Sequence, residues 1–176
     1  AMTHTKRRAL VAGVGNVFFG DDGFGVEVVR RLREEDLPPW LEVVDFGVRS
    51  LHLAFELSSP PPLDLFVLVD AMARGGEPGT LYVIDPDLDA QALVAPPDAH
   101  AMSPSAVLAA LSALGGSLPP TRIVGCEPSS LEQGMQLSPR VREAVSPAVR
   151  LVRRIVESEV SHGLEKKLGL EKKTPR

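Results

Sequence analysis

The sequence predicts a single α/β domain, a three-layer sandwich in which helices cover both faces of a mostly parallel sheet with one antiparallel edge strand. Three observations support this fold class. Short apolar runs alternate with segments of helical periodicity, which is the pattern of a parallel sheet covered by helices. One connection between two runs is too short to hold a helix, and the chain of 176 residues has the length of one domain. We expect the domain to span residues 8–160, between an N-terminal extension (residues 1–7) and a basic C-terminal tail (residues 161–176).

The first half of the chain predicts two strands, each followed by a helix. The apolar run at residues 8–14 ends in a glycine-rich turn, as a buried strand does where it enters a loop. Phe24, Val28 and Leu32 then recur every four residues and place an apolar stripe on a helix. Ser50 is a suitable N-cap for a second helix. The predicted elements are a strand at 8–14, a helix at 24–35, a strand at 41–45 and a helix at 50–57.

The second half predicts the centre of the sheet and one edge of it. Residues 63–70 form the most apolar run of the chain and should be a central strand. Residues 71–79 are too few for a helical crossover, so the next strand should return antiparallel at an edge. The pairs Ser103-Pro104 and Ser138-Pro139 each have the pattern of an N-cap followed by the first helical residue. The predicted elements are strands at 63–70, 80–84 and 121–126, a helix at 103–114, and a helix from 139 that Pro147 should kink or divide.

Charge and cysteine content narrow the class of function. The formal net charge is −4, and the part outside the basic tail is more acidic still. This disfavours nucleic acid as a partner, because phosphate contacts need a basic face. No apolar run approaches the ~20 residues of a membrane span, so we expect no membrane partner. The single cysteine, Cys126, excludes an intramolecular disulfide and favours a reducing compartment, the cytoplasm.

Polar side chains follow the predicted strands at the points where those strands end. In open α/β sheets the functional crevice lies beyond the carboxyl ends of the strands. Carboxylates crowded at that edge would repel one another unless a cation or a cationic substrate lay among them. Asp70 is the most informative, because it ends a fully apolar strand where an uncompensated charge is costly. The residues expected at this edge are Asn16, Asp21, Asp22, Asp45, Asp70 and Glu127.

His100 precedes the predicted helix at 103–114 and should approach the same edge. Together with Asp22 and Asp70 it would supply one imidazole nitrogen and two carboxylates, and three protein ligands leave positions open for water or substrate. This donor set suits nickel or zinc better than magnesium. Each residue also has an ordinary alternative, since an Asp after a strand is often a helix cap or turn residue and a loop His is often a surface residue.

Two other kinds of site have weaker support. Gly13-x-Gly15 is similar to the start of a dinucleotide-binding loop, but Phe18 stands where the third glycine would be. A nucleotide-binding α/β domain is therefore an alternative with an incomplete motif. Cys126 follows a strand and could be a nucleophile, although a buried, inert thiol is the favoured interpretation.

Five sequence blocks, in order and at the right spacing, resemble those of hydrogenase maturation endopeptidases. The resemblance spans residues 9–157, nearly all of the chain outside its two ends. The blocks are GVGNVFFGDDGFGVEVVRRL (13–32), LEVVDFGVRSLHLAFEL (41–57), LVDAM (68–72), DAHAMSPSAVLAAL (98–111) and VGCEPSSLEQGMQLSPRVREAV (124–145).

The resemblance implies a nickel-dependent endopeptidase. Members of the family recognise the nickel-loaded precursor of a nickel–iron hydrogenase large subunit, and they cut once, after the C-terminal cysteine motif that holds the nickel. By position their nickel-binding residues correspond to Asp22, Asp70 and His100, the same three that the strand ends select. The nickel comes with the substrate, and zinc or cadmium could occupy the site in its place.

The resemblance also suggests roles for Asp45 and Asn16. The family's second block carries an acidic residue associated with activity, which corresponds to Asp45. We expect Asp45 to act as a general base or to orient the attacking water. Asn16 is expected either to donate a hydrogen bond to the substrate backbone or to shape the glycine turn. The alternative function is a non-catalytic nickel-sensing or metal-binding maturation factor that binds the precursor without cutting it.

Two features depart from the family pattern. Many members have Glu where this chain has Asp22, so the shorter side chain would need its loop about one methylene nearer the metal. Many also have a Gly-Gly-Thr run and a later glycine in the second block, where this chain has Phe46-Gly47-Val48 and Ser50. The Thr hydroxyl is therefore absent, which is expected to affect specificity for the partner more than the chemistry.

Overall fold

The sheet is mostly parallel with one antiparallel edge pair, as the sequence predicts. The computed structural model describes residues 7–86, 107, 110, 111 and 113–167. Within these residues the strands are β1 (Ala9–Val14), β2 (Leu41–Gly47), β3 (Leu65–Ala71), β4 (Leu81–Ile84) and β5 (Thr121–Cys126). They form one sheet in the order β2-β1-β3-β5-β4. All neighbouring pairs are parallel except β4 and β5, which are antiparallel at one edge. The edge strand predicted from the short connection is thus confirmed.

Helices cover both faces of the sheet, which confirms the three-layer architecture. Helices α1 (Phe24–Leu32) and α3 (Pro139–Lys167) pack on one face. Helix α2 (Ser50–Ser58) packs on the other face with the helical residues Val107 and Leu111. Side chains alternate along each strand between the two cores, so that Val11 joins the core under α1 and α3 while Leu10 joins the core under α2.

The helices on the first face differ in length from their predictions. Helix α1 ends at Leu32, where its buried stripe ends, and residues 33–35 continue as turns and a bend. Helix α3 is not divided at Pro147. Its apolar stripe from Val141 to Val160 lies buried in the core, and this packing offsets the backbone hydrogen bond that proline cannot donate. Most of the helix predicted at 103–114 lies outside the described residues.

The order of the strands creates a topological switch point between β1 and β3. From β1 the chain passes through α1 to β2 on one side, and from β2 it returns through α2 to β3 on the other side. The two connections lie on opposite faces of the sheet, so they leave a crevice beyond the carboxyl ends of β1 and β3. This crevice is where the predicted acids should meet.

The start of α1 lies directly on the ends of these two strands. A Cβ atom at Gly25 would be 2.1 Å from the carbonyl oxygen of Val69 and 2.7 Å from that of Val14. Only glycine permits an approach this close. The residues just before α1 are thereby held against the ends of β1 and β3. No helix in the described part of the chain is long and apolar enough to cross a membrane.

Candidate active site

Asp70 occupies the floor of the crevice as a buried acid. It lies near the end of β3, is 1% exposed, and its Oδ1 atom has no hydrogen-bond partner among the described residues. Burial, followed by the negative charge of Asp22, raises the pKa of the Asp70 carboxyl well above its usual value, against a smaller opposing effect of a hydrogen bond from the Ala71 backbone. A buried acceptor of this kind is costly unless a proton or a cation satisfies it.

Asp22 approaches Asp70 from the 3₁₀ turn at Gly20–Gly23, between β1 and α1. Its Oδ2 atom accepts a 2.7 Å hydrogen bond from the backbone N–H of Asn16. Gly15 has a φ angle of +130°, and a Cβ atom there would be 1.9 Å from the Asp22 carbonyl oxygen. The glycine turn after β1 therefore brings Asp22 back over the strand end. Its charge acts on Asp70 there, which fits the proximity predicted for the two acids.

Asn16 shapes this turn. Its side-chain Oδ1 atom accepts a 3.0 Å hydrogen bond from the backbone N–H of Phe18, while its own backbone N–H is used by Asp22. This is the turn-shaping role that the sequence left as one alternative for Asn16. It also weakens the nucleotide-binding alternative, since a carboxylate already takes a backbone N–H that a phosphate would need and would repel that phosphate.

Asp45 lies near the end of β2 and is half-buried. In the sheet it pairs with Gly13 of β1, which in turn pairs with Val69 of β3. Because neighbouring strands are about 4.8 Å apart, the backbone of Asp45 is roughly 10 Å from that of β3. The Arg49 guanidinium holds this strand end by donating to the carbonyl oxygens of Asp45 and Phe46.

His100, the third predicted metal ligand, lies outside the described residues. Among the described residues no three His, Cys, Asp or Glu side chains are arranged to hold a metal ion. The acid pair alone supplies two carboxylates, so the predicted nickel site requires His100 and stays a prediction. The unpartnered Asp70 oxygen is the feature that fits a cation, because it offers a buried negative acceptor without a protein donor.

The other two carboxylates at the edge have structural roles. Asp21 is 1% exposed and accepts hydrogen bonds from the backbone N–H groups of Ser129, Ser130 and Ser138 and from the Ser138 hydroxyl. Glu127 accepts from residues of the loop that follows β3 and from the Tyr82 hydroxyl. The sequence could not separate these roles, because their hydrogen-bond donors lie far away along the chain.

Cys126 is fully buried at the end of β5. Burial, followed by the nearby negative charges of Asp21 and Glu127, raises the pKa of its thiol to about 12. The thiolate is the nucleophilic form, so this cysteine is unreactive at neutral pH. The structure supports the inert thiol and not the nucleophile.

Comparison with known proteins gives matches over most of the chain. A family model described as hydrogenase maturation protease matches residues 26–155. The hydrogenase 2 maturation protease of Escherichia coli is 30% identical over 151 residues, covering 82% of this chain and 88% of that protein. The hydrogenase expression/formation protein HupD of Bradyrhizobium diazoefficiens is 31% identical over 147 residues, covering 82% of this chain and 75% of that protein.

A solved structure agrees with these matches. The hydrogenase maturating endopeptidase HybD from Escherichia coli has a TM-score of 0.74 and 28% sequence identity, covering 86% of this chain and 93% of that one. The sheet topology, the acid pair at its switch point and these matches define a hydrolase of the endopeptidase class. The chain belongs to the hydrogenase maturation protease family.

Proposed function

We propose that this protein is a nickel-dependent endopeptidase that removes the C-terminal extension from the nickel-loaded precursor of a nickel–iron hydrogenase large subunit. One observation carries the proposal: the buried Asp70 carboxylate has an oxygen without a hydrogen-bond donor among the described residues and lies within the field of Asp22. Two acids held in this way are stabilised when they share a divalent cation. The cation we propose is the nickel ion that the substrate brings.

The protein supplies ligands to that ion from separate parts of the fold. Asp22 and Asp70 would each contribute a carboxylate oxygen, and His100 would contribute an imidazole nitrogen. A nickel ion held by these residues would supply Lewis acidity, which would polarise the scissile carbonyl or activate a bound water. Because half of the coordination belongs to the precursor, the isolated protein should hold nickel, zinc or cadmium only weakly. A precursor without nickel would lack the feature that holds its tail in the crevice.

We assign to Asp45 the role of general base for the attacking water. In peptide hydrolysis the water oxygen bonds to the scissile carbonyl carbon while the water gives up a proton. The C–N bond then breaks, and the leaving amine takes up a proton. Asp45 would accept the first proton and return it to the amine. Asp45 lies near the carboxyl end of β2, with β1 between it and β3, so it would act on a water above these strand ends, beside a peptide that lies across them.

Asn16 is a second candidate for contact with the substrate. Its Oδ1 atom is already used by the Phe18 backbone, so the Nδ2 amide is the group that would donate to a carbonyl oxygen of the precursor tail. The turn that holds Asn16 also holds Asp22, so one loop would fix both the tail and the ion.

The test is cleavage of a nickel-loaded large-subunit precursor from the same organism, followed by mass spectrometry of the released tail. Wild-type protein should release one peptide. Asp70→Asn and His100→Ala should each lower the rate at least about 100-fold, since outer-shell partners of metal sites alone are worth about 10–100-fold. Asp36→Asn and His162→Ala are matched controls at exposed positions and should cleave like wild type.

Three results would contradict the proposal. Normal cleavage by His100→Ala would show that the imidazole is not part of the site. Binding of the precursor by wild-type protein with the tail still attached would favour the alternative of a nickel-sensing maturation factor. Release of a tail from a nickel-free precursor would separate the peptidase activity from nickel.

We also propose that the reaction takes place in the cytoplasm. The single cysteine supports this location, because it is a buried free thiol and the chain can form no internal disulfide. Cell fractionation with an antibody against the protein would test the location.

A further inference from the structure

The loop at residues 128–138, between β5 and α3, is exposed yet firmly anchored. Residues 129–136 are all exposed to solvent. One buried side chain, Asp21, nevertheless accepts four hydrogen bonds from this loop, at 2.7–3.0 Å, from two successive backbone N–H groups and from both the N–H and the hydroxyl of Ser138. An ionised carboxylate accepts stronger hydrogen bonds than a neutral group. The buried Asp21 carboxylate thus anchors the loop at residues 128–138, which contributes little to the core.

The same loop is joined along its backbone to the turn that precedes α1. Gly134 donates its N–H to the Phe18 carbonyl oxygen and accepts from the N–H of Gly20, both at 2.8 Å. The Asp21 N–H adds a 3.0 Å bond to the Ser130 carbonyl oxygen. We refer to residues 16–21 and 128–138 together as the double-loop rim. Its two segments form one unit.

The double-loop rim exposes large apolar side chains next to the acid pair. Met135 is 72% exposed and Phe18 is 57% exposed, the two highest values among the large apolar side chains that the structure describes. They flank the bridge between Phe19 and Gly134. Because this bridge holds the neighbouring backbones together, the two side chains can form one apolar patch, and exposed apolar patches mark protein-binding surfaces.

The rim is continuous with the candidate site. Asn16, at its beginning, donates its backbone N–H to Asp22 and accepts from the N–H of Phe18. An ion bound at Asp22 would therefore lie beside the loop that carries the exposed Phe18 side chain. A folded protein that delivered such an ion would come close to this surface.

We propose that the double-loop rim is the docking surface for the folded body of the large-subunit precursor, and that Asp21 is the positioning residue that fixes it beside the acid pair. This inference rests on the proposed function and adds the surface that the partner contacts. The occupant is a protein surface with apolar side chains near the tail that is cut. Asp21 does not touch the reacting atoms. It fixes the position of the docking surface relative to the acid pair.

The first experiment removes the apolar contacts without disturbing the backbone. The double variant Phe18→Ala/Met135→Ala is compared with wild type in two assays with the nickel-loaded precursor: equilibrium binding by titration and steady-state cleavage. We expect Kd and KM to rise at least about tenfold, as for apolar residues central to an interface, while kcat changes less than about threefold. The matched control is Phe55→Ala, because Phe55 is 54% exposed on α2, outside the rim. It should bind and cleave like wild type.

The second experiment loosens the anchor. Asp21→Asn keeps the shape of the side chain but turns one acceptor into a donor that faces N–H groups. We expect faster hydrogen exchange at the amides of residues 129–138 and a rise in KM larger than the fall in kcat. Ser138→Ala removes one of the four hydrogen bonds and should have a smaller effect in the same direction. If Asp21→Asn fails to fold, the Phe18→Ala/Met135→Ala variant still decides the proposal.

The outcomes separate this inference from the proposed function. Wild-type cleavage together with unchanged binding by Phe18→Ala/Met135→Ala would overturn the rim as a docking surface and leave the peptidase intact. An equal loss of binding in Phe55→Ala would overturn it as well. Binding through the rim without any cleavage would overturn the proposed function and support the docking surface. Absence of both binding and cleavage by wild type would overturn both.

Discussion

Asp22 and Asp70 are brought together across the topological switch point, and the charge of Asp22 adds to burial in raising the pKa of the Asp70 carboxyl. The first acid comes from the turn before α1 and the second from the end of β3. Neither strand end alone would make a site. The arrangement costs stability in the absence of a cation, which makes the acid pair accessible to measurement.

Replacing Asp70 by Asn should stabilise the metal-free protein at neutral pH while lowering the rate of cleavage at least about 100-fold. A carboxyl whose pKa is raised by folding favours the folded state at low pH, and that advantage is lost as the pH rises from its ordinary 3.8 towards the raised pKa. Asn has no charge to bury. Urea unfolding at about pH 7 should therefore give a higher midpoint for Asp70→Asn than for wild type, and the difference should shrink towards about pH 4. The exposed Asp36→Asn control should show no such pH-dependent gain.

Cys126 should be unreactive in the folded protein and dispensable for cleavage. Because folding raises the pKa of this thiol to about 12, the stability it contributes is complete below its ordinary value of 9.0 and is lost as the pH rises from there towards 12. Alkylation by iodoacetamide at about pH 8 should be slow in buffer and rapid in urea. Cys126→Ala should retain cleavage with a loss of about 1–2 kcal/mol in the free energy of unfolding, in keeping with a small core truncation. Rapid alkylation of the native protein would contradict the burial.

Two glycine-to-alanine changes in helices should have opposite effects. Gly25→Ala would place a methyl group against two strand carbonyls and should lower the free energy of unfolding by about 1–3 kcal/mol, the usual cost of overpacking. Gly163→Ala is the matched control, because nothing lies within 4 Å of a Cβ atom there. It should be neutral or stabilise by about 0.5–1 kcal/mol. Chemical denaturation measures both, and a harmless Gly25→Ala would refute the close approach of α1 to the strand ends.

Glu127 and Tyr82 should be energetically coupled. The Glu127 carboxylate accepts from the backbone N–H groups of Arg74 and Gly75 and, at 2.8 Å, from the Tyr82 hydroxyl. Glu127→Gln should cost about 1–3 kcal/mol, because the buried side chain would then present an NH₂ group to donors that now meet a carboxylate oxygen, and Tyr82→Phe should cost about 1 kcal/mol. In a double-mutant cycle the double variant should lose less free energy of unfolding than the two single variants lose in sum. The difference should be about 0.5 kcal/mol or more. Strict additivity would show that the two groups do not interact.

The sequence was sufficient for the architecture because its signals are local. Apolar runs, proline pairs and the short connection at residues 71–79 specify the strands, the helices and the antiparallel edge without knowledge of distant contacts. Strand ends are less certain for the same reason. The strand predicted from Leu63 begins two residues later in the structure, since Asp64 instead exchanges hydrogen bonds with Arg8 beside the sheet.

The site was only partly predictable because identical residue types take different roles. Asp21 and Asp22 are neighbours in the sequence, and nothing local distinguishes them. Asp21 is separated by 108–117 positions from the serines that it binds, whereas Asp22 acts on Asp70. The family resemblance assigned Asp22, and not Asp21, to the metal. The hydrogen bonds of Asp21 explain this difference, because they commit its carboxylate to the loop at residues 128–138. Contacts that span most of the chain are outside the reach of periodicity and spacing.

The bonds of Asp21 also set an order of events during synthesis. A ribosome releases the turn before α1 early and Ser138 late, and until the latter has emerged the Asp21 carboxylate lacks two of its four donors. A chain that ends before Ser138 therefore cannot form the complete double-loop rim. The anchor of the rim thus closes only after most of the chain has been made, although Asp21 itself emerges among the first residues.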